Sequence, residues 1–393
     1  MSIRRWEGRG RIPRLPAETL RLVLPAPGRL RKLIEPVSDR AVPSFDARRM
    51  GCYSRCMTAQ FWKQLPNGHA QCRLCSQFCN IPPGERGFCG VRANDGKGVL
   101  DSLVESGVAA LNLDPVEKKP LYHYLPGTTT LSFGTPGCNF ACPFCQNSSL
   151  SHAPREQGLV RLQNITPAAL ADQAGNSGAA SLSFTYSEPT VFFELMARTA
   201  DAARQAALGT IMVSNGFHSP DSLEALRDRI QAANIDLKSF REAFYREQCR
   251  ARLAPVLDNL KAMRSFGWWV EITTLLIPGR NDSTEELRDL AGFIARELGP
   301  EIPWHISRFH PAFRMQDAPP TPLADMERAA RIGQEAGLRF VYLGNVARHA
   351  LEGTFCPRCG RKLLSRVGYS VTGLPFDGRC ACGERIPGIW SRA

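Results

Sequence analysis

From Thr128 onward, short apolar runs alternate with longer stretches of helical spacing. The runs cover 129–133, 181–186, 210–214, 233–237, 269–277, 303–309 and 339–343, and each reads as a strand. The stretches between them carry helix starts. Thr166-Pro167, Ser219-Pro220 and Thr321-Pro322 each put a capping hydroxyl before a proline at the first helical position. Ser283 with Glu286 has the spacing of a capping box. Strands alternating with helices predict parallel β-α units, and so an open α/β sheet or an α/β barrel. Both put their chemistry at the C-terminal ends of the strands.

The end of the first run is where the chemistry concentrates. Thr130-Leu131-Ser132-Phe133 leads into Gly134-Thr-Pro-Gly137-Cys138-Asn-Phe-Ala-Cys142-Pro-Phe-Cys145-Gln-Asn147, three cysteines spaced C-x3-C-x2-C. Pro136 and Gly137 break the strand, and Pro143 lacks the N–H that a helix through the cysteines would use, so the segment is a loop wrapped around one small object. Thiolates hold iron–sulfur clusters, and a 4Fe–4S cube normally takes four. Three leave one iron free to chelate a substrate. A structural zinc ion takes four protein ligands, so a zinc reading needs His152 or a distant residue.

The remaining cysteines fall in groups. Cys72, Cys75, Cys79 and Cys89 lie in a loop-rich stretch with Pro82, Pro83, Gly84 and Gly87. Zinc or an auxiliary iron–sulfur cluster fits the ligand count there, with zinc the first choice. Cys356 and Cys359, then Cys380 and Cys382, each pair followed by glycine, read as a zinc-ribbon-like module over 346–393, although the second pair is C-x-C rather than C-x2-C. Tight clusters without a secretory signal point to metal ligation in a reducing cytoplasm rather than to disulfides.

Charge changes the picture little. The net charge is +12, but residues 1–56 hold 13 Lys/Arg against 5 Asp/Glu, whereas the other 337 hold 36 against 32. The main body is nearly neutral, so the basic pI does not by itself argue for nucleic acid, and no nucleic-acid partner is expected. No run of 18 or more apolar residues is present, so no membrane span is expected. Residues 1–56, with a weakly amphipathic stretch at Leu20–Leu33 and with Cys52 and Cys56, read as a basic disordered arm or the product of an early start codon. The segment 57–127 is then a Cys-rich region and connector, and 128–345 the α/β body.

Polar residues follow the later strands. Glu188 ends Thr185-Tyr-Ser-Glu-Pro189 and is suited to accept from an ammonium group or to cap the next helix. Ser214 and Asn215 suit a ribose, or an Asx turn. Asp236 and Lys238 share one face by alternation, either around a bound zwitterion or as an ion pair. His310 is suited to cover an adenine.

The cysteine triplet, with Phe144 before its last member, resembles the signature of the radical S-adenosylmethionine (SAM) superfamily. Further stretches resemble the radical SAM protein of the AmmeMemoRadiSam system, a relative of pyruvate formate-lyase activating enzymes. These are Arg86-Gly-Phe-Cys-Gly-Val-Arg92, Asp114-Pro-Val-Glu-Lys-Lys-Pro120, Ser183-Phe-Thr-Tyr-Ser-Glu-Pro-Thr190, Asn234-Ile-Asp-Leu-Lys238, Ile277-Pro-Gly279, Trp304-His-Ile-Ser-Arg-Phe-His-Pro311 and Ile386-Pro-Gly-Ile-Trp390. The resemblance runs from about Met57 to Trp390. It implies a partial, six-stranded TIM-like (β/α)6 barrel, with Cys138, Cys142 and Cys145 on a 4Fe–4S cluster. Phe144, Glu188, Ser214, Asn215, Asp236, Lys238 and His310 would lie around SAM. It also implies reductive cleavage of SAM to a 5′-deoxyadenosyl radical that abstracts hydrogen from a substrate. The implied partners are a flavodoxin- or ferredoxin-like electron donor and Memo-like and AMMECR-like proteins. Two departures stand out. Tyr186 and Ser187 replace the glycines of the activating enzymes' Gly-Gly-Glu stretch, and Val213 replaces an aspartate. The alternatives are an activating enzyme for a glycyl-radical protein or, in another class, an iron–sulfur or zinc-ribbon protein for electron transfer or binding.

Overall fold

The structure is a computed structural model that describes residues 57–158, 161–346 and 348–392. These belong to one compact unit. The expectations for residues 1–56, including Cys52 and Cys56, lie outside the described residues. At the centre is an eight-stranded sheet built from β1 (Ala110–Pro115), β2 (Thr129–Gly134), β3 (Ser181–Phe184), β4 (Gly209–Ser214), β5 (Ala232–Asp236), β6 (Trp269–Leu276), β7 (Trp304–Arg308) and β8 (Val341–Gly344). The strands lie in sequence order, and β1 and β8 form the two edges. β2 to β8 are parallel, whereas β1 pairs antiparallel with β2.

All seven expected strands are present. They make seven parallel strands, one more than the six-stranded barrel that the resemblance implies, and β1 brings part of the expected connector into the sheet. Its sequence, Ala-Leu-Asn-Leu-Asp-Pro, is mixed in polarity because an edge strand has one side of its ladder open to solvent.

Helices α1 (Pro167–Asn176), α2 (Phe193–Gln205), α3 (Pro220–Glu224), α4 (Ala254–Ser265), α5 (Thr284–Phe293) and α6 (Leu323–Glu335) connect the strands. Thr166 and Ser219 cap α1 and α3 as expected. Two expected caps differ. Thr321 does not cap α6. Its hydroxyl donates to the Leu276 carbonyl and accepts from the Phe309 N–H, tying β6 to the segment after β7. At α5 only half of the box forms, because Glu286 turns to Ser239 Oγ and the Phe240 N–H.

The two faces of the sheet have different chemistry. Leu131, Phe133, Leu182, Phe184, Met212, Ile235, Ile272 and Ile306 belong to the main apolar core, with side chains of the helices. The alternate residues Thr130, Ser132, Ser181, Ser183, Asn234, Glu271 and His305 are polar, yet all are buried. The segment around Pro120–Tyr124 supplies partners for two of these residues, Asn234 and Glu271. The Pro120 carbonyl accepts from Asn234, and the Tyr122 and His123 N–H groups donate to Glu271. The chain's end packs here too, with His123 on the Pro387 carbonyl at 2.7 Å. Arg366 reaches the Tyr122 carbonyl at 2.8 Å.

Glu271 is wholly buried and also accepts from Trp269 Nε1 at 2.9 Å and pairs with His305 Nε2 at 2.6 Å. Burial works to raise its pKa, but the His305 contact and the other donors outweigh it and hold the carboxyl at about 2. Because that lies below the ordinary value of 4.5, its stabilisation is present above that value and is lost as pH falls towards 2. Glu271→Leu leaves these donors buried without a partner and is expected to cost about 3–5 kcal/mol. Denaturant unfolding at neutral pH checks this, and the difference between variant and parent should shrink below pH 4.

Candidate functional site

The loop after β2 is held by backbone contacts from several elements. The Gly137 N–H donates to the Leu150 carbonyl at 3.1 Å, and the Ala141 N–H to the Cys249 carbonyl at 3.0 Å. The Pro143 carbonyl accepts from Arg314 N–H at 2.9 Å and Met315 N–H at 3.1 Å. Gln77 Nε2 donates to the Asn139 carbonyl at 2.9 Å. Gly137 adopts φ +104°, and a Cβ there would lie 3.0 Å from the Cys89 carbonyl oxygen, so the loop needs glycine at that point.

Cys138, Cys142 and Cys145 line one cavity together with Phe144, Glu188, Ser214, Asn215, Asp236 and Lys238. Nine of the ten residues that the sequence assigns to the cluster and to SAM therefore meet. The tenth, His310, is exposed and does not line the cavity, because β7 ends at Arg308 and the chain turns away through the buried Phe309. Strand alternation delivers the deeper lining. Asp236, Thr273 and Ser307 each follow, two residues on, a polar residue of the sheet's polar face, and Val213 follows the apolar Ile211. Thr273 and Ser307 carry no cue beyond that alternation, and sequence reading passed over them.

Each polar group has defined partners. Glu188 Oε1 accepts from the Thr190 N–H (3.0 Å), Thr190 Oγ1 (2.6 Å) and Ser214 Oγ (2.7 Å), and Oε2 accepts from the Asn215 N–H at 2.9 Å. It caps the turn after β3 and joins that turn to the end of β4. Asn215 Oδ1 accepts from the Phe217 N–H in an Asx-type turn, while its Nδ2 donates to Asn139 Oδ1 at 2.7 Å. Lys238 pairs with Asp236 at 2.8 Å. Burial works against the Lys238 ammonium, but Asp236, Cys142 and Cys249 outweigh it and raise its pKa well above the ordinary value. Cys249, to which the sequence gives no role, is buried against Cys142. That hydrogen bond and burial push the Cys142 thiol well up, and burial with the Glu188 charge does the same for Cys138. Binding a metal here therefore has to displace protons.

Tyr186 sits at φ +67°, a left-handed conformation that glycine adopts freely and tyrosine rarely does. Its hydroxyl donates to Asp114 Oδ2 at 2.6 Å, and Lys119 stands over its ring. Burial raises the Asp114 pKa, but Lys118, Lys119 and Tyr186 together reverse this and hold the carboxyl well below its ordinary value. The strained tyrosine is thus fastened to β1. Beside it, the buried Ser187 hydroxyl lines the cavity and has no partner.

The other cysteines form two sites. Cys72, Cys75, Cys79 and Cys89 line a small cavity of their own. The sulfurs of Cys356, Cys359, Cys380 and Cys382 all lie within 4.8 Å of one another, beside a three-stranded antiparallel sheet of Thr354–Phe355, Lys362–Val367 and Ser370–Thr372. No described helix is long and apolar enough to cross a membrane.

The family model described as Radical SAM superfamily matches residues 133–291. The uncharacterized protein MJ0808 of Methanocaldococcus jannaschii is 39% identical over 332 residues, covering 84% of this chain and 98% of the relative. The chain belongs to the radical SAM superfamily. The GTP 3′,8-cyclase of Marinobacter nauticus is similar over a shorter span, 30% identical over 162 residues, covering 40% of this chain and 48% of the cyclase. Among solved structures, a domain of the pyruvate-formate lyase-activating enzyme from Bacteroides vulgatus aligns with TM-score 0.38 and 16% identity, covering 42% of this chain and 100% of that one. Streptococcus suis SuiB bound to S-adenosylmethionine aligns with TM-score 0.43 and 18% identity, covering 58% and 55%. The superfamily's 4Fe–4S cluster and SAM suit the donor set of this cavity. It offers three thiols, an ammonium–carboxylate pair and, in Ser187, a hydroxyl without a partner.

Tyr186→Phe removes a hydrogen bond to a charged acceptor and is expected to lower stability by about 1.5–3 kcal/mol. Chemical denaturation checks this, and a stability equal to the parent's would show that the hydroxyl does not fasten the turn.

Proposed function

We propose that this radical SAM enzyme holds a 4Fe–4S cluster on Cys138, Cys142 and Cys145 and cleaves SAM reductively in the cavity they line. The observation that carries this reading is the meeting of three thiols and the Asp236–Lys238 pair in one cavity at the C-terminal ends of parallel strands. A bound cluster supplies the electron that breaks the sulfonium C–S bond, giving methionine and a 5′-deoxyadenosyl radical that takes hydrogen from the substrate. The protein's residues bind and orient. Lys238 offers its ammonium to the methionine carboxylate, with Asp236 as its counter-charge. Ser187 offers a free hydroxyl to a polar group of the same ligand. Glu188, with both oxygens already accepting, fixes the walls rather than serving as a free acceptor. Phe144 packs on Phe244 at 5.9 Å and keeps water from the loop.

The motifs from Arg86 to Trp390 support placement in the AmmeMemoRadiSam type, with a flavodoxin- or ferredoxin-like protein as electron donor and Memo-like and AMMECR-like proteins as partners. The C-terminal quartet takes zinc in this reading. Tetrahedral Zn–S bonds of roughly 2.3 Å put sulfurs about 3.8 Å apart, and the Cys356–Cys382 and Cys359–Cys380 sulfur separations are both 3.6 Å. Cys359→Ser is expected to remove one zinc per chain and lower the Tm while the iron persists. Metal analysis of anaerobically purified protein checks this, and iron at the quartet would overturn it.

Reconstituted with iron and sulfide and given a strong reductant, the parent protein is expected to convert SAM to 5′-deoxyadenosine and methionine without its substrate. Cys142→Ala leaves two thiolates in the loop and should lose this activity with the triplet's share of iron. Lys238→Ala should keep that iron and bind SAM about tenfold to a hundredfold more weakly, the loss of one charge-assisted hydrogen bond. 5′-Deoxyadenosine formed by Cys142→Ala at the parent rate would defeat the proposal.

A further inference from the structure

Cys72, Cys75, Cys79 and Cys89 line a cavity separate from the SAM site, and Leu74, Gln77, Ile81, Phe88, Arg92 and Asn139 complete most of its wall. Among the described residues, the C-terminal quartet is the one group of three or more His, Cys, Asp or Glu ligand atoms that all lie within 4.8 Å of one another. The four N-terminal cysteines face one cavity, but no three of their sulfurs all lie within that distance of one another. A zinc ion holds its thiolates about 3.8 Å apart, so this spacing suits a larger object. Cys138, Cys142 and Cys145 likewise share a cavity without meeting the 4.8 Å limit.

The donors around the cavity point the same way. Asn139 Nδ2 and Arg92 Nε are buried and have no hydrogen-bond partner, and both residues line this cavity. Asn139 is wholly buried and Arg92 is 1% exposed. An unpaired buried donor costs about 1–3 kcal/mol, so two beside one cavity mark an acceptor that belongs there. A zinc ion brings no acceptor beyond the thiolates that hold it. An iron–sulfur cluster brings bridging sulfides, which take N–H hydrogen bonds that also tune the cluster's potential. Cys79 Sγ already accepts from the Phe88 N–H at 3.5 Å, as Cys138 Sγ accepts from the Phe140 N–H at 3.3 Å. The Arg92 guanidinium, paired with Glu194 at 2.6 Å, adds a positive charge near Cys72 and Cys89.

We infer that Cys72, Cys75, Cys79 and Cys89 hold a second iron–sulfur cluster, in place of the zinc that their sequence spacing favours. The cluster would stand against the SAM-site loop. Asn139 belongs to that loop and to this cavity, and Gln77, between Cys75 and Cys79, donates to the Asn139 carbonyl.

The test uses the full chain, purified without oxygen and reconstituted with iron and sulfide. The parent is expected to hold iron in excess of the roughly four atoms of one cube, together with about one zinc. With Cys138, Cys142 and Cys145 all changed to alanine, iron and acid-labile sulfide should remain. The reduced protein should then give an electron paramagnetic resonance signal that SAM does not alter. Adding Cys75→Ser to that variant should remove both the remaining iron and the signal. A triplet variant with zinc at two sites and no iron would overturn the inference and leave the reading of the SAM site intact. A parent whose only reduced signal fails to respond to SAM would instead count against the SAM site. Should the triplet variant not fold, a parent with no more than one cube and zinc at two sites overturns the inference equally.

Discussion

The geometry of the site depends on one buried carboxylate. Glu188 accepts four hydrogen bonds, two from Thr190 after β3 and two from Ser214 and Asn215 at the end of β4. Asn215 passes the connection to Asn139 inside the cysteine loop. Three segments from separate parts of the chain are thereby held at fixed distances by a group whose burial would be costly without those donors. Burial still leaves its pKa above the ordinary value. The sequence offers Glu188 either to an ammonium group or as a cap, and in the fold it caps the turn after β3 and ties that turn to the end of β4.

The sheet serves the site through its two unlike faces. One packs aliphatic and aromatic side chains on the helices, the usual source of stability for parallel strands. The other is lined by hydroxyls, an amide, a glutamate and a histidine; the Pro120–Tyr124 segment satisfies the amide and the glutamate, the histidine pairs with that glutamate, and Thr130 and Ser183 bond each other. Continuing that polar face by one alternation towards the C-terminal strand ends gives Asp236, Thr273 and Ser307, which line the cavity. Along β5, β6 and β7 the buried network therefore runs directly into the lining of the cavity.

The cysteines divide by how far apart the fold holds their sulfurs. The C-terminal quartet is tight and closed, which suits a single ion. The loop after β2 spreads three thiols around a cavity shared with polar groups, and the Cys72–Cys89 set spreads four around two donors without partners. Spacing along the chain does not distinguish the second set from a zinc site, because C-x2-C occurs in both kinds.

The sequence by itself determined the alternating strands and helices, since hydrophobic period and capping residues are local properties. It also determined the loop that Pro136, Gly137 and Pro143 force on the three cysteines, and the shared face of Asp236 and Lys238 follows from a strand's period of two. What needed the tertiary structure is whatever depends on partners distant in the chain. Thr321 bonds to Leu276 rather than capping its helix, and Glu286 turns to Ser239, because each found a stronger acceptor or donor across the fold. β1 enters the sheet through its ladder with β2, which its mixed polarity does not announce. His310 leaves the cavity because the strand before it ends two residues earlier. Cys249, Thr273, Ser307 and the unpaired Ser187 hydroxyl gain meaning from what faces them. Facing is decided by how strands stack and loops are tied, which no local pattern encodes.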